Sequence, residues 1–138
     1  MLSEQQLDRA FEVLPFMRSA GDDERREFAA QALIRRIPAG ATIFEEGVEC
    51  SAIAILLDGQ VRVFKIGETG REITLYRFSR GESCILTAGC ILGAHQFPAI
   101  AVVERDAEVI FIPAFDFNNW MNRMPAWRDY VFALLAQR

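Results

Sequence analysis

The chain holds 138 residues with 15 basic and 19 acidic side chains, a net charge of −4, and 51% hydrophobic residues. That length fits one domain able to bury roughly two-thirds of the surface its unfolded chain exposes, and the apolar fraction excludes a disordered tail. The acidic balance excludes a surface built for phosphate neutralisation, and a single histidine, His95, excludes most histidine-built metal centres and weakens any catalytic triad.

Met1-Leu2-Ser3-Glu4-Gln5 lacks the basic and apolar regions of a secretory signal, so the expected location is the cytoplasm. Ser3 is placed to cap a helix with Leu7, Ala10, Phe11 and Leu14 on one face, and Pro15 interrupts it. A second helix starts near Asp22-Asp23 and packs through Phe28, Ala29 and Leu33. From Ile34 the texture changes to short apolar runs split by turn residues. Pro38-Ala39-Gly40 reads as a turn, residues 41–44 as a short strand and Glu45-Glu46-Gly47 as another turn. Residues 53–57 read as a buried strand, and Asp58-Gly59 predicts a two-residue hairpin into a return strand over 60–66. After the loop Gly67-Glu68-Thr69-Gly70, residues 72–78 alternate, with Ile73 and Leu75 on one face and Thr74 and Tyr76 on the other.

Residues 83–103 carry no formal charge. Ser83, Thr87, His95, Gln96, Pro98 and two glycines make this stretch too polar and too broken for a membrane span, so it reads as a buried, irregular interior segment. Residues 100–103 and 108–112 read as two more strands, and Pro113 ends the strand region. Residues 115–124 return to a helical pattern, and Pro125 starts a last helix. Evenly spaced strands flanked by helices predict a mainly β fold, a small antiparallel barrel or jelly roll. The expected organisation is N-terminal helices over 1–32, a jelly roll over 33–113 and C-terminal helices over 114–138.

Cys50, Cys84 and Cys90 are odd in number and lack zinc-like spacing, which argues against a disulfide framework. Cys50, beside Glu49, reads as an exposed loop thiol. Cys84 and Cys90, with His95 nearby, offer ligands suited to iron, copper or zinc, or a redox-responsive pair. The plainer reading is that the two cysteines are small buried hydrophobic residues. Both readings stand at this level. No paired carboxylates, Ser/His/Asp set or phosphate-cradling glycine loop calls for catalysis.

The ordered series Pro38-Ala39-Gly40, Phe44, Glu46-Gly47, Leu57-Asp58-Gly59-Gln60-Val61, Gly70-Arg71-Glu72 and Arg80-Gly81-Glu82, followed by Ile112-Pro113 and Phe117, resembles the effector domain of Crp/Fnr-type bacterial transcription regulators. The resemblance spans residues 33–138. It implies the antiparallel jelly roll of the cyclic-nucleotide-binding domain with flanking helices, and a non-enzymatic, effector-sensing role. It also implies DNA contact only through a helix-turn-helix domain that is not in this chain, and no membrane partner. The family's cassette places a second Gly-Glu, which holds the ribose, and an arginine triplet, which neutralises the cyclic phosphate. Here Ile85-Leu86 and Phe97-Pro98-Ala99 occupy those positions, and no lysine or arginine lies between Glu82 and Glu104. Arg62, Arg71 and Arg77 are the cations left to reach in from other strands.

Cyclic AMP and cyclic GMP are therefore disfavoured as ligands. The effector is unnamed, and the pocket wall implied by the family fold is Val63, Leu75, Ser83, Cys84, Leu86, Thr87 and Phe97. The oxygen-sensing branch holds an iron–sulfur cluster through N-terminal cysteines, and residues 1–49 have none. Two alternatives remain: a stand-alone cyclic-nucleotide-binding-like module, and a cupin-like metalloprotein, which needs two or three histidines with a carboxylate. The final segment places Trp127, Val131, Leu134 and Leu135 at i, i+4, i+7 and i+8, one apolar stripe. It reaches Gln137-Arg138 without a stop signal, so the helix is expected to run on. The resemblance implies that this helix forms a homodimer, with Trp127, Val131 and Leu134 nearest the seam.

Overall fold

The computed structural model describes residues 1–136. Helix α1 (Glu4–Val13) opens on a capping box: Ser3 Oγ accepts the Gln6 backbone N–H, and the Gln6 side chain accepts that of Ser3. Pro15 cannot continue the α ladder, and the chain turns through a short 3-10 segment, Pro15–Ser19. Helix α2 (Asp22–Gln31) follows with three acidic residues in its first turn, where the helix dipole favours negative charge.

Five strands follow, β1 (Leu33–Ile37), β2 (Thr42–Phe44), β3 (Ala52–Ile66), β4 (Glu72–Ser79) and β5 (Ile100–Pro113). They pair antiparallel in the order β1-β5-β3-β4, with β2 also on β5. The sheet does not close on itself, and its arrangement is jelly-roll-like, as expected. Helix α3 (Ile85–Gly93) lies between β4 and β5; α4 (Ala114–Arg123) and α5 (Pro125–Ala136) complete the chain. The expected run-on through Gln137 and Arg138 lies outside the described residues.

Three expectations are corrected. The Asp58-Gly59 pair makes no hairpin, because β3 runs unbroken through it. A two-residue type I′ turn needs positive φ at both central residues, and here only Gly59 has it, at +97°. The pair instead marks register shifts between β3 and β5 around residues 56–61, where the long strand bends. The two strands expected over 100–112 are likewise one, β5, running through Glu104-Arg105-Asp106. The uncharged stretch after Glu82 is not irregular throughout, since its first half is helix α3.

The core has two halves with β3 between them. Ile53, Ile55 and Leu57 face one, with Phe11, Phe28, Phe117, Trp120 and Trp127; Ala54 and Leu56 face the other, with Val61, Val63, Phe78, Phe97 and Val109. Burial on both faces explains why residues 53–57 read as an unbroken apolar run rather than an alternation. Surface ion pairs fasten helices to distant parts of the fold. Arg9 of α1 hydrogen-bonds Glu108 of β5, and Arg123 of α4 hydrogen-bonds Glu27 of α2, each holding its carboxyl below the usual carboxylate range. The stability these pairs add is present above the ordinary carboxylate pKa of about 4.3 and is lost as pH falls through the lowered values.

The apolar stripe of α5 is also corrected. Trp127, Val131 and Leu134 are buried in this chain's own core. The Trp127 ring stands edge-on to Trp120 at 5.3 Å and to Phe117 at 5.7 Å, and its Nε1–H donates to the Phe117 carbonyl at 3.2 Å. Trp127, Val131 and Leu134 are thus spent on this chain's own core and are not free to form a dimer seam.

Gly59 is required twice over. Its φ lies in the left-handed region, and a Cβ there would come within 2.6 Å of Ala107 Cα and the Asp106 carbonyl oxygen, both backbone atoms. Gly59→Ala is expected to lower stability by roughly 2–4 kcal/mol, read as an earlier urea midpoint at unchanged slope. A midpoint within error of the wild type would show that the bend is not constrained there.

Candidate functional site

The candidate site is the ground beneath α3. Its sequence, Ile-Leu-Thr-Ala-Gly-Cys-Ile-Leu-Gly, is small or apolar around the whole circumference, which suits a helix buried on more than one side. Ala88 and Ile91 pack into the helical half of the core, whereas Cys84, Leu86 and Cys90 pack into the β half. Ala94, in the left-handed conformation at φ +53°, ends the helix, and its N–H bonds the Cys90 and Ile91 carbonyls.

Of the seven expected wall residues, Val63, Cys84, Leu86 and Phe97 meet in the β half of the core. Ser83 sits immediately before Cys84, fully enclosed, and its Oγ donates to the Ala54 carbonyl at 2.7 Å. Thr87 is also fully enclosed, and its Oγ1 has no hydrogen-bond partner among the described residues. Leu75 is the exception and is corrected: it is 41% exposed. The alternation along β4 was read properly but its inner face was not. Tyr76 faces in, because a register shift at Val63/Phe64 sets it opposite Val63 and leaves Leu75 outside the pairing.

Tyr76 is the residue that sequence reasoning missed. Its hydroxyl accepts the Leu86 N–H at 3.3 Å, in the first turn of α3, and lies 2.9 Å from Cys84 Sγ. An aromatic residue with a polar tip at the inward position of an alternating strand was the signal available. The apolar residues on the opposite face obscured it.

The cysteine expectations change as well. Cys50 and Cys90 are joined by a disulfide, with Cα atoms 6.2 Å apart. Cys84 is the free thiol, buried against Tyr76. The pairing of Cys84 with Cys90 as a metal or redox couple is therefore overturned, as are the readings of Cys50 as an exposed thiol and of a chain without disulfides. The odd count misled, because one bridge and one buried thiol also make three. Among the described residues no group of three or more His, Cys, Asp and Glu side chains is placed to hold a metal.

The cations are engaged elsewhere. Arg62 donates to Glu72 at 2.7 Å and to Thr74 at 2.8 Å, and its guanidinium stacks over Phe64 at 4.4 Å. Arg77 pairs with Glu104 at 2.8 Å, which raises the guanidinium pKa. Arg80 binds Glu12 at 3.1 Å and the Leu57 carbonyl at 2.9 Å. Arg71 stands exposed beside the turn into β4. The interior under α3 is thus lined by apolar groups, two hydroxyls, a thiol and a phenol.

An antiparallel jelly-roll-like sheet, helices at both ends and a short helix lying over the sheet between β4 and β5 define a small β-roll domain. Residues 34–124 match the cyclic nucleotide-binding domain, and the chain belongs to that family. It is similar to the cyclic AMP receptor protein of Thermus thermophilus, 29% identical over 116 residues that cover 83% of this chain and 53% of that protein. A solved structure described as a transcriptional regulator of the crp/fnr family from Eubacterium rectale aligns at TM-score 0.80 and 25% identity, covering 91% of this chain and 58% of that one. The chain also resembles part of lysophospholipase nte1 of Aspergillus niger, 28% identical over 103 residues, 75% of this chain but 7% of that protein. It spans about half the length of the cyclic AMP receptor protein it matches. The domain therefore resembles the sensor domains of Crp/Fnr regulators, in a family whose members also occur beside enzyme domains.

The unpartnered Thr87 hydroxyl gives a direct test of the site. A buried hydroxyl without a partner costs about 1–3 kcal/mol, and valine has nearly the same shape. Thr87→Val is expected to raise stability by about 1 kcal/mol, seen as a later urea midpoint. A lower midpoint would mean that the hydroxyl is satisfied in solution.

Proposed function

We propose that this chain is the effector-sensing and dimerisation domain of a cytoplasmic Crp/Fnr-type transcription regulator, without catalytic activity of its own and with DNA contact made by a separate domain. The observation that carries the reading is the ground beneath α3, which occupies the place of the family's nucleotide cassette and holds no cation. Val63, Ser83, Cys84, Leu86, Thr87 and Phe97, with Tyr76 in place of Leu75, form the sensing wall. A cyclic phosphate there would lose its hydration without gaining a positive partner, a cost of several kcal/mol. The polar groups that are present, hydroxyl, thiol and phenol, suit a small uncharged effector. No helix among the described residues is long and apolar enough to cross a membrane.

Titration calorimetry with cyclic AMP and cyclic GMP is expected to give no heat of binding at micromolar concentrations. Micromolar affinity that Arg62→Ala abolishes would overturn the reading and name Arg62 as the replacement cation.

Dimerisation has to use the other face of α5. Phe132 is 55% exposed there, with Asp129 and Ala136 also exposed three and four residues away. A seam this short supplies few interlocking positions, so weak self-association is expected. Sedimentation velocity across a concentration series is expected to show a dimer that Phe132→Glu dissolves without changing the circular dichroism spectrum. A strict monomer, or a dimer indifferent to that change, would overturn this part.

A further inference from the structure

Cys50 and Cys90 lie at the seam between the two halves of the core: Cys50 packs against both, and Cys90 belongs to the β half. Their bridge ties α3 to the connection between β2 and β3, 40 residues away in sequence. The same connection is held there without the bridge. Gly47 N–H donates to the Phe97 carbonyl and Phe97 N–H to the Val48 carbonyl, each at 2.9 Å, and Glu49 pairs with Gln96 in an isolated β-bridge. The scaffold therefore keeps the two cysteines within disulfide reach whether or not the bond exists.

A reduced Cys90 is also provided for. Its Sγ lies 2.6 Å from the His95 carbonyl oxygen, where a thiol proton would find an acceptor. Cys50 and Cys90 both border an open cleft of about 380 Å³, walled also by Glu49, Ile91, His95 and Gln96. Cys50 is half-buried, whereas Cys90 is 1% exposed, so an incoming reagent meets Cys50 first. Cys84, sealed against Tyr76, takes no part.

We propose that Cys50–Cys90 is a reversible thiol–disulfide exchange site for low-molecular-weight thiols and disulfides, and that its state sets how firmly α3 is held. Oxidation begins when the Cys50 thiolate attacks one sulfur of a small disulfide such as oxidised glutathione. That attack forms a mixed disulfide and expels one thiolate. The Cys90 thiolate then attacks the Cys50 sulfur, forms the internal bridge and expels the second thiolate. Two cysteine thiols are oxidised, one external disulfide is reduced to two thiols, and the two cysteine protons end on those thiols. Reduction runs the same steps backwards, and Cys90 recovers its proton beside the His95 carbonyl. The site requires only that the two sulfurs be adjacent, so it stands apart from the effector reading.

The test equilibrates the folded 138-residue chain with reduced and oxidised glutathione, traps free thiols by alkylation and counts them by mass spectrometry. Amide exchange is followed over residues 85–97. The wild type and Cys84→Ser are expected to gain and lose two alkylatable thiols without denaturant. Exchange over 85–97 is expected to be several-fold faster in the reduced form. Cys50→Ser is expected to exchange like the reduced wild type whatever the glutathione ratio; should that variant not fold, the phosphine-reduced wild type serves the same comparison. Three results would each overturn the proposal: thiols that never pair in the folded chain, a bridge that opens only on unfolding, or amide exchange that is the same in both states.

Discussion

The domain depends on a nine-residue helix that is packed against both halves of the core. Helix α3 has no charged residue, and its small residues include Ala88, which is fully buried in the helical half of the core. It joins the helical half through Ala88 and Ile91 and the β half through Leu86 and Cys90, so neither half is complete without it. A charged side chain introduced on its inner faces would have to be desolvated with no opposite charge in reach. That constraint explains the absence of lysine and arginine over residues 83–103. The ground beneath α3 is accordingly apolar, with hydroxyl, thiol and phenol groups as its polar members.

The sheet is shaped to accept that helix. Two long strands, β3 and β5, run antiparallel along their whole length and serve both halves of the core, so each needs a bend where the halves meet. Gly59 supplies it on β3, lying so close to Ala107 of β5 that no side chain fits between them. The bulge increases the local twist. Beyond it, Val61 and Val63 point under α3, and Tyr76 comes inward from β4. The same residue types in two straight hairpins would have left α3 with a single flat face to pack on.

Much of this was legible in the residues and some was not, for identifiable reasons. Helix starts at Ser3, Asp22 and Pro125 carry local chemistry, a cap, an acidic first turn and a fixed φ, and local chemistry survives folding. The apolar run at 53–57 was read as a buried strand because only a two-sided burial makes alternation disappear. Asp58-Gly59 misled because a positive φ serves a hairpin and a bulge equally, and only the partner strand decides between them. Helix α3 was hidden because its glycines, alanine and threonine blur any periodicity when both halves of the core are packed against it. In the site, the lack of lysine and arginine over 83–103 is visible in composition alone. The identity of the inward residue on β4 needed geometry, since a one-residue shift exchanges Leu75 for Tyr76. The Cys50–Cys90 bridge joins residues 40 apart, and no spacing rule reaches that far.

The C-terminal helices pack into the same half of the core as α3. Trp127 is enclosed by Phe16, Phe117, Trp120 and Tyr130, and Val131 and Leu134 share that cluster with Ala88 and Ile91 of α3. Phe117 and Trp120 stand edge-on to Trp127, and Phe16 and Tyr130 lie tilted against it, a packing dense enough that its members do not shift independently. The burial of Tyr130, which raises its phenol pKa strongly and leaves its hydroxyl without a partner among the described residues, removes an anchor that would favour one arrangement over another. The apolar stripe of α5 therefore belongs to the same packed cluster as α3. Its burial takes Trp127, Val131 and Leu134 out of any dimer seam and leaves Phe132, 55% exposed, on the opposite side of the helix.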